Sequence, residues 1–383
     1  MSKNQSIYLD YAAATPVLPE VIAAMQPYFE HEYFNPSATY LAAKKVSQDI
    51  EKARSKVAHW LGARSSEIIF TAGGTEANNL AIHGIMRTHP DGNIVISSIE
   101  HESVLAPAGN YDMRIVSVHK DGRIDLTDLE QKIDENTVLV SCMYANNEIG
   151  TIQPIRDVVR IVAKKKAERT IGSLPLYVHS DACQATNYLD LHVARLGVDL
   201  LTINGGKIYG PKQSGALYVK AGVELKPLID GGGQERGLRS GTENVPAIIG
   251  FATALDIVQS DRQNELRMRL ISELRDLFFE KLKEAIPDVV INGSMKYRLS
   301  NNIHFTLPGI DNERLLIQLD ERGIQAAAGS ACSASDETPS HVLRAIGLSD
   351  EEAQSSIRIT IGRFTTKEDM LSTIKTLSEL VTT

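Results

Sequence analysis

Cysteine is scarce in this chain of 383 residues, with three copies at positions 142, 183 and 332. So few thiols, two of them (Cys142 and Cys183) in or beside apolar runs, exclude a disulfide framework and suit a reducing compartment. Aromatic side chains make up 5% of the residues, and no apolar run approaches the length that crosses a bilayer. A basic surplus is missing too. With 40 Lys and Arg against 48 Asp and Glu, the net charge is −8, so the overall balance does not supply a surface for neutralising nucleic-acid phosphate. The opening MSKNQSIYLDYAAATP holds neither an apolar signal core nor an Arg-rich amphipathic helix, and cytoplasmic residence is the expectation. There is no internal repeat and no low-complexity segment.

What is present is the composition of a globular protein, 43% hydrophobic and 23% charged, at a length beyond which single cores usually stop growing. From Ser37 onward, Leu41, Val46, Ile50, Ala53, Val57 and Trp60 fall near helical spacing, which predicts one amphipathic helix with Ser37 as N-cap and Gly62 as stop. Short apolar runs then alternate with helical patterns: EIIF (67–70), NIVISS (93–98), MRIVSV (113–118), TVLVSCM (137–143), LPLYVHS (174–180), DLLTI (199–203) and GALYV (215–219). This alternation predicts an α/β fold with a doubly wound, mainly parallel sheet. Around 250–285 the helical pattern is too long for one straight helix and predicts a bend between two domains. Beyond it, NNIHFTL and SSIRITI alternate with helices as in a small α+β domain. The expected division is a large α/β domain over 15–256 and a small α+β domain made of 1–14 and 257–383, which carries a cysteine-bearing loop at about 326–338.

In doubly wound sheets ligands bind beyond the carboxyl ends of the strands. Those positions are polar here: Gly73, Gly74 and Thr75, then Glu100 and His101, Asn146 and Asn147, Asp181 and Gln184, and Asn204 and Lys207. An amine at Lys207 and a carboxylate at Asp181, delivered from two strand ends, match the needs of pyridoxal phosphate (PLP). The amine forms a Schiff base with the aldehyde, and the carboxylate keeps the pyridine nitrogen protonated. Gly74 and Thr75 open a helix whose free N–H groups favour an anion such as a phosphate, although a capped helix without ligand has the same local pattern. His101 offers a flat imidazole for stacking and for proton exchange near neutral pH. Asn147 and Gln184 supply neutral donors to a phenolic oxygen, and serve equally well as turn or cap residues. Cys332 stands in a run of Gly, Ala and Ser without large apolar side chains, which reads as a mobile loop bearing a nucleophilic thiol. Arg358 is a mid-strand arginine whose fork suits an amino-acid carboxylate or a structural ion pair. No metal site is expected.

Taken in order, YLDYAAATP, AGGTEANN, EHESVL, NNEIGTIQPI, HSDACQA, GKIYGPK, GGGQERGLRSGTENV, GSACSAS and SIRITIGRFTT resemble, almost end to end, the class V aminotransferases of PLP fold-type I. Within them the resemblance is to cysteine desulfurases of the NifS/IscS type. It implies Lys207 as the Schiff-base lysine, Asp181 as partner of the pyridine nitrogen, His101 stacked on the ring, and Gln184 and Asn147 at the phenolic oxygen. Gly74 and Thr75 match the phosphate turn, with Asn204 near it. Thr242 matches a residue lent to the phosphate of a neighbouring subunit, which implies a homodimer. Arg358, with Asn147, matches the substrate carboxylate site, and Cys332 the thiol that attacks the substrate sulfur. The implied reaction converts L-cysteine to L-alanine and leaves a persulfide on Cys332. An acceptor, either an iron–sulfur scaffold or a tRNA-thiolation protein, would then take the sulfur. The chain departs from the family where Ser-Gly-His is usual before the lysine, reading Asn204, Gly205 and Gly206 instead; Phe34 and Tyr40 depart as well. Rival readings are a class V aminotransferase, a selenocysteine lyase, and a PLP-fold scaffold with weak turnover.

Overall fold

The computed structural model describes residues 6–329 and 339–381, so Cys332 lies outside the described residues. In chain order the strands are β1 (Ile7–Tyr8), β2 (Ile68–Thr71), β3 (Asn93–Ser97), β4 (Met113–Val116), β5 (Thr137–Ser141), β6 (Tyr177–Asp181), β7 (Leu200–Asn204), β8 (Gly215–Val219), β9 (Val290–Ile291), β10 (Asn302–Thr306), β11 (Ile324–Gln325) and β12 (Ser356–Thr360). Each of the seven apolar runs has become one strand of a seven-stranded sheet, in the order β2-β8-β7-β6-β5-β3-β4. All its pairings are parallel except those of β8, which runs against both β2 and β7. The α/β, mainly parallel architecture expected from the sequence is therefore the fold of this chain.

The runs are continuously apolar because both faces of the sheet are covered. Every residue of β2, β3, β5 and β8 is buried. Alternate side chains enter different cores: Val95, Val140 and Leu201 pack on one face, while Ile94, Leu139 and Leu200 pack on the other with Leu80, Ile82 and Ile85 of the helix Gly74–Thr88.

The helix expected to begin after Ser37 runs over Leu41–Leu61, with Tyr40 rather than Ser37 at its N-cap. Asn35 accounts for the correction. Its side-chain oxygen accepts from Ser37 N–H at 2.9 Å and its carbonyl from Ala38 N–H at 3.1 Å, so Ser37 is held in a turn that precedes the helix. Gly62 ends the helix at φ 61°, as its lack of a Cβ permits. The long helical stretch breaks into Val245–Gln263 and Leu266–Ala285, with Glu265 at φ 57° between them.

A second core gathers Phe278, Phe305, Ile357, Ile359 and Leu377 around the antiparallel sheet β12-β10-β9. The N-terminal segment ties the two cores together. Leu9 packs in the second and Tyr11 in the first, β1 pairs with β11, and Asp10 bridges to Thr360. This segment then crosses the mouth of the large sheet. Among the described residues no helix is long and apolar enough to cross a membrane.

Candidate active site

Beyond the carboxyl ends of β6 and β7 lies a cleft whose walls include Gly74, Thr75, His101, Asn147, Asp181, Gln184, Asn204, Lys207 and Arg358. Nine residues singled out from the sequence thus converge on one cavity. Thr242 does not join them; it is exposed on the loop before the helix Val245–Gln263. The placement of Cys332 is not described.

Lys207 ends a single 3₁₀ turn, Gly205–Lys207, directly after β7. Its Nζ donates to the carbonyls of Ala12 at 2.8 Å and Ala13 at 2.7 Å, and Gln184 Nε2 donates to the same Ala12 carbonyl at 3.0 Å. The YLDYAAATP segment therefore forms one wall of the cleft through its main chain. Asp181, the last residue of β6, is 6% exposed. It accepts from Cys183 N–H on Oδ1 at 2.8 Å and from Asn78 Nδ2 on Oδ2 at 2.6 Å. Each oxygen of this buried carboxyl thus accepts from a neutral donor.

His101 is the N-cap of the helix Glu102–Ala108, and its Nδ1 accepts from Ser103 N–H at 3.0 Å. Burial lowers its pKa from the ordinary imidazole value, and nearby Asp181 opposes that shift. Arg358, in the middle of β12, is 1% exposed. Its fork donates to Asp10 Oδ1 at 2.7 Å and to the Asn147 carbonyl at 3.1 Å, while its Nε is buried without a hydrogen-bond partner. The ion pair anticipated from the sequence is present, and the same side chain lines the cleft.

The turn at Gly74 is built on close approach: a Cβ there would sit 2.7 Å from Cys183 Sγ. Asn204 accepts from Gly206 N–H on Oδ1 at 3.0 Å and lies beside that turn, its Nδ2 3.4 Å from the same Cβ position. At Gly206 a Cβ would meet nothing nearer than 3.6 Å, so the backbone has room for a side chain there. Cys142 and Cys183 are both buried, and burial pushes each thiol far up, so neither serves as a thiolate nucleophile.

Reading from sequence missed Asp10, the Ala12 and Ala13 carbonyls, Asn78, Ser103 and Glu148. Only Asn78 carried a usable signal, standing one helical turn after Gly74 and so on the same face of its helix. Glu148, 2% exposed, accepts from Ser340 Oγ at 2.6 Å, and its Oε2 is 3.4 Å from where a Gly329 Cβ would be. The described residues on either side of Cys332 therefore meet at a residue adjoining Asn147. Farther out, Arg54 binds Glu235 through both guanidinium nitrogens at 2.7 and 2.8 Å, anchoring the loop that leads to Thr242.

The aminotransferase class-V family profile matches residues 7–372, and the chain belongs to that family. Across 385 aligned residues it is 40% identical to the cysteine desulfurase IscS of Dictyoglomus turgidum, covering 99% of this chain and 95% of that protein. A solved NifS-like protein superposes with a TM-score of 0.90 at 34% identity, over 98% of this chain and 99% of the other. A structure of SspA in complex with cysteine superposes with a TM-score of 0.80 at 36% identity, over 94% of this chain and all 100% of its own. Within the class V family, the chain belongs with the cysteine desulfurases of the IscS and NifS type.

Proposed function

We propose that the chain removes sulfur from L-cysteine with the help of PLP, releases L-alanine, and carries the sulfur as a persulfide on Cys332 to an acceptor protein in the cytoplasm. One observation carries this reading: amine, carboxylate, imidazole and guanidinium converge on one cleft, and both described ends of the Cys332 segment meet at Glu148, next to the cleft residue Asn147.

The residues present fit PLP. The Gly74 turn, a cradle that a Cβ would crowd, lies at the N-terminus of a 15-residue helix and suits a phosphate with Thr75 and Asn204 as further donors. Asp181 would hold the pyridine nitrogen, His101 would cover the ring, Asn147 and Gln184 would meet the phenolic oxygen, and Lys207 would anchor the aldehyde. When bound, PLP supplies an electron sink that renders the substrate sulfur open to attack.

The remaining work falls to the chain. Arg358, held by Asp10, receives the substrate carboxylate with Asn147 close by. Lys207 Nζ moves the proton at the substrate Cα, and His101 assists proton transfer at the leaving sulfur. Cys332 is three positions beyond Gly329, so a fully extended chain keeps it within about 11 Å of that residue, within reach of the cleft.

Thr242 acts on the phosphate of a second copy. An exposed apolar group supports a homodimer: Tyr33 (68% exposed) stacks on Phe34, Phe34 meets Tyr40 (53% exposed) edge-on, and Leu41 (83% exposed) follows directly. The acceptor is an iron–sulfur scaffold or a tRNA-thiolation protein.

The test measures alanine and protein-bound persulfide together after adding L-cysteine and PLP to wild type and Cys332→Ser. Both products from wild type and neither from the variant is the expected result. Equal behaviour of the two proteins removes Cys332 from the reaction.

A further inference from the structure

Behind the cleft, a buried amide links the two residues that flank the proposed cofactor ring. Asn78 is completely buried in the helix Gly74–Thr88. Its Nδ2 donates to Asp181 Oδ2 at 2.6 Å and to Ser103 Oγ at 2.8 Å, and Ser103 Oγ lies 2.8 Å from His101 Nδ1.

The direction of every hydrogen in this chain follows from chemistry. Turning the Asn78 amide over would set its oxygen against the Asp181 carboxylate, two acceptors at hydrogen-bond distance with no proton between them. The NH₂ group therefore faces Asp181, and its second hydrogen goes to Ser103 Oγ. Having accepted there, the Ser103 hydroxyl is free to donate to His101 Nδ1. That nitrogen also accepts from Ser103 N–H at 3.0 Å, so it carries no proton and the neutral ring is protonated on Nε2.

The opposite end of the amide shows that packing is not the reason for it. Asn78 Oδ1 is buried without a hydrogen-bond partner, an arrangement that costs stability. With both hydrogens committed to cleft groups, the amide is placed for what those groups do.

We propose that Asn78 and Ser103 are positioning residues: they hold Asp181 as an acceptor and, through a directed side-chain relay acting together with the Ser103 N–H, hold His101 in its Nε2–H tautomer. The helix that opens with the Gly74 turn thereby couples the anion cradle, the ring-nitrogen partner and the stacking imidazole. This inference rests on the reading of Asp181 and His101 as cofactor contacts. Burial, which lowers the pKa of His101, favours the neutral ring that the relay orients.

The test uses the full chain with ¹⁵N-labelled histidine, with and without PLP, and the His101 ring signals assigned by their loss in His101→Gln. In wild type, Nδ1 should be unprotonated and Nε2 protonated in both forms. Asn78→Ala and Ser103→Ala should each leave the Ser103 N–H as the only directed donor to Nδ1 and shift the Nδ1 signal away from its wild-type position, and Ser103→Thr, which keeps the hydroxyl, should restore it. Release of PLP from Asn78→Ala, followed by absorbance, should be roughly tenfold faster or more, the loss of one hydrogen bond to a charged group. Should Asn78→Ala unfold, Ser103→Ala carries the test, since it removes a single oxygen and keeps the Ser103 N–H bond. A proton on Nδ1 in wild type overturns the relay, as do wild-type ring signals in both alanine variants. A chain that shows the expected ring signals yet never takes up PLP leaves the relay standing and removes the cofactor reading instead.

Discussion

Gly74→Ala isolates the close approach on which the cleft is built. The backbone at Gly74 is helical, so alanine meets no conformational objection, and the contact alone decides the outcome. The new Cβ would sit 2.7 Å from Cys183 Sγ, about 1 Å inside ordinary contact for atoms of this size. Cys183 has little freedom to retreat, because its N–H is bonded to Asp181 Oδ1 at 2.8 Å and its side chain is buried. Overpacking of this kind costs about 1–3 kcal/mol, and the strain is transmitted to the Asp181 carboxyl and to the turn that would cradle the phosphate. Urea denaturation of the PLP-free protein should show a lower midpoint at unchanged slope, and absorbance titration should show weaker PLP uptake. Cys183→Ala removes the obstructing sulfur, so Gly74→Ala with Cys183→Ala should recover much of the loss, with a coupling energy of about 1 kcal/mol or more. Additivity of the two substitutions within about 0.5 kcal/mol would refute the argument, as would a stabilised Gly74→Ala.

Two further outcomes follow from the same geometry. Gly206→His restores the imidazole usual in the family, and because a Cβ there has nothing within 3.6 Å, the variant should fold normally and release PLP roughly tenfold more slowly; unchanged release shows that an imidazole at this position does not reach the phosphate. Glu100 is fully buried, and burial, with Asp181 adding to it and the Met143 N–H bond opposing, pushes its carboxyl from 4.5 up to about 8. Between roughly pH 5 and 8 the native state keeps a proton that the unfolded chain has released, so this group lowers stability as pH rises through that window and adds no further slope above it. Glu100→Gln keeps an acceptor for Met143 N–H and cannot ionise. Its stability relative to wild type should therefore climb from pH 5 to 8 in denaturation measurements, and a flat difference contradicts the assignment.

Much of the cleft was legible along the chain because the strands are short and apolar while their carboxyl ends are polar. Asp181, Lys207 and His101 stand where a buried run stops, and that pattern is local. Ser37 misled for an equally local reason, a competing turn set by Asn35. Asn78 shows from sequence only that it shares a helix face with Gly74, and its two hydrogen bonds exist because β6 and the helix Glu102–Ala108 are packed beside its own helix.

The sequence by itself determined the seven runs that become the large sheet, the break in the long helix, and the residue types offered at the strand ends, since periodicity and burial are properties of neighbouring residues. Tertiary structure decided the antiparallel course of β8, the pairing of Arg358 with Asp10 across 348 positions, and the use of the Ala12 and Ala13 carbonyls to hold Lys207. A main-chain carbonyl carries no side-chain signature. Partners so far apart in the chain meet only once the packed cores have carried the N-terminal segment across the mouth of the sheet.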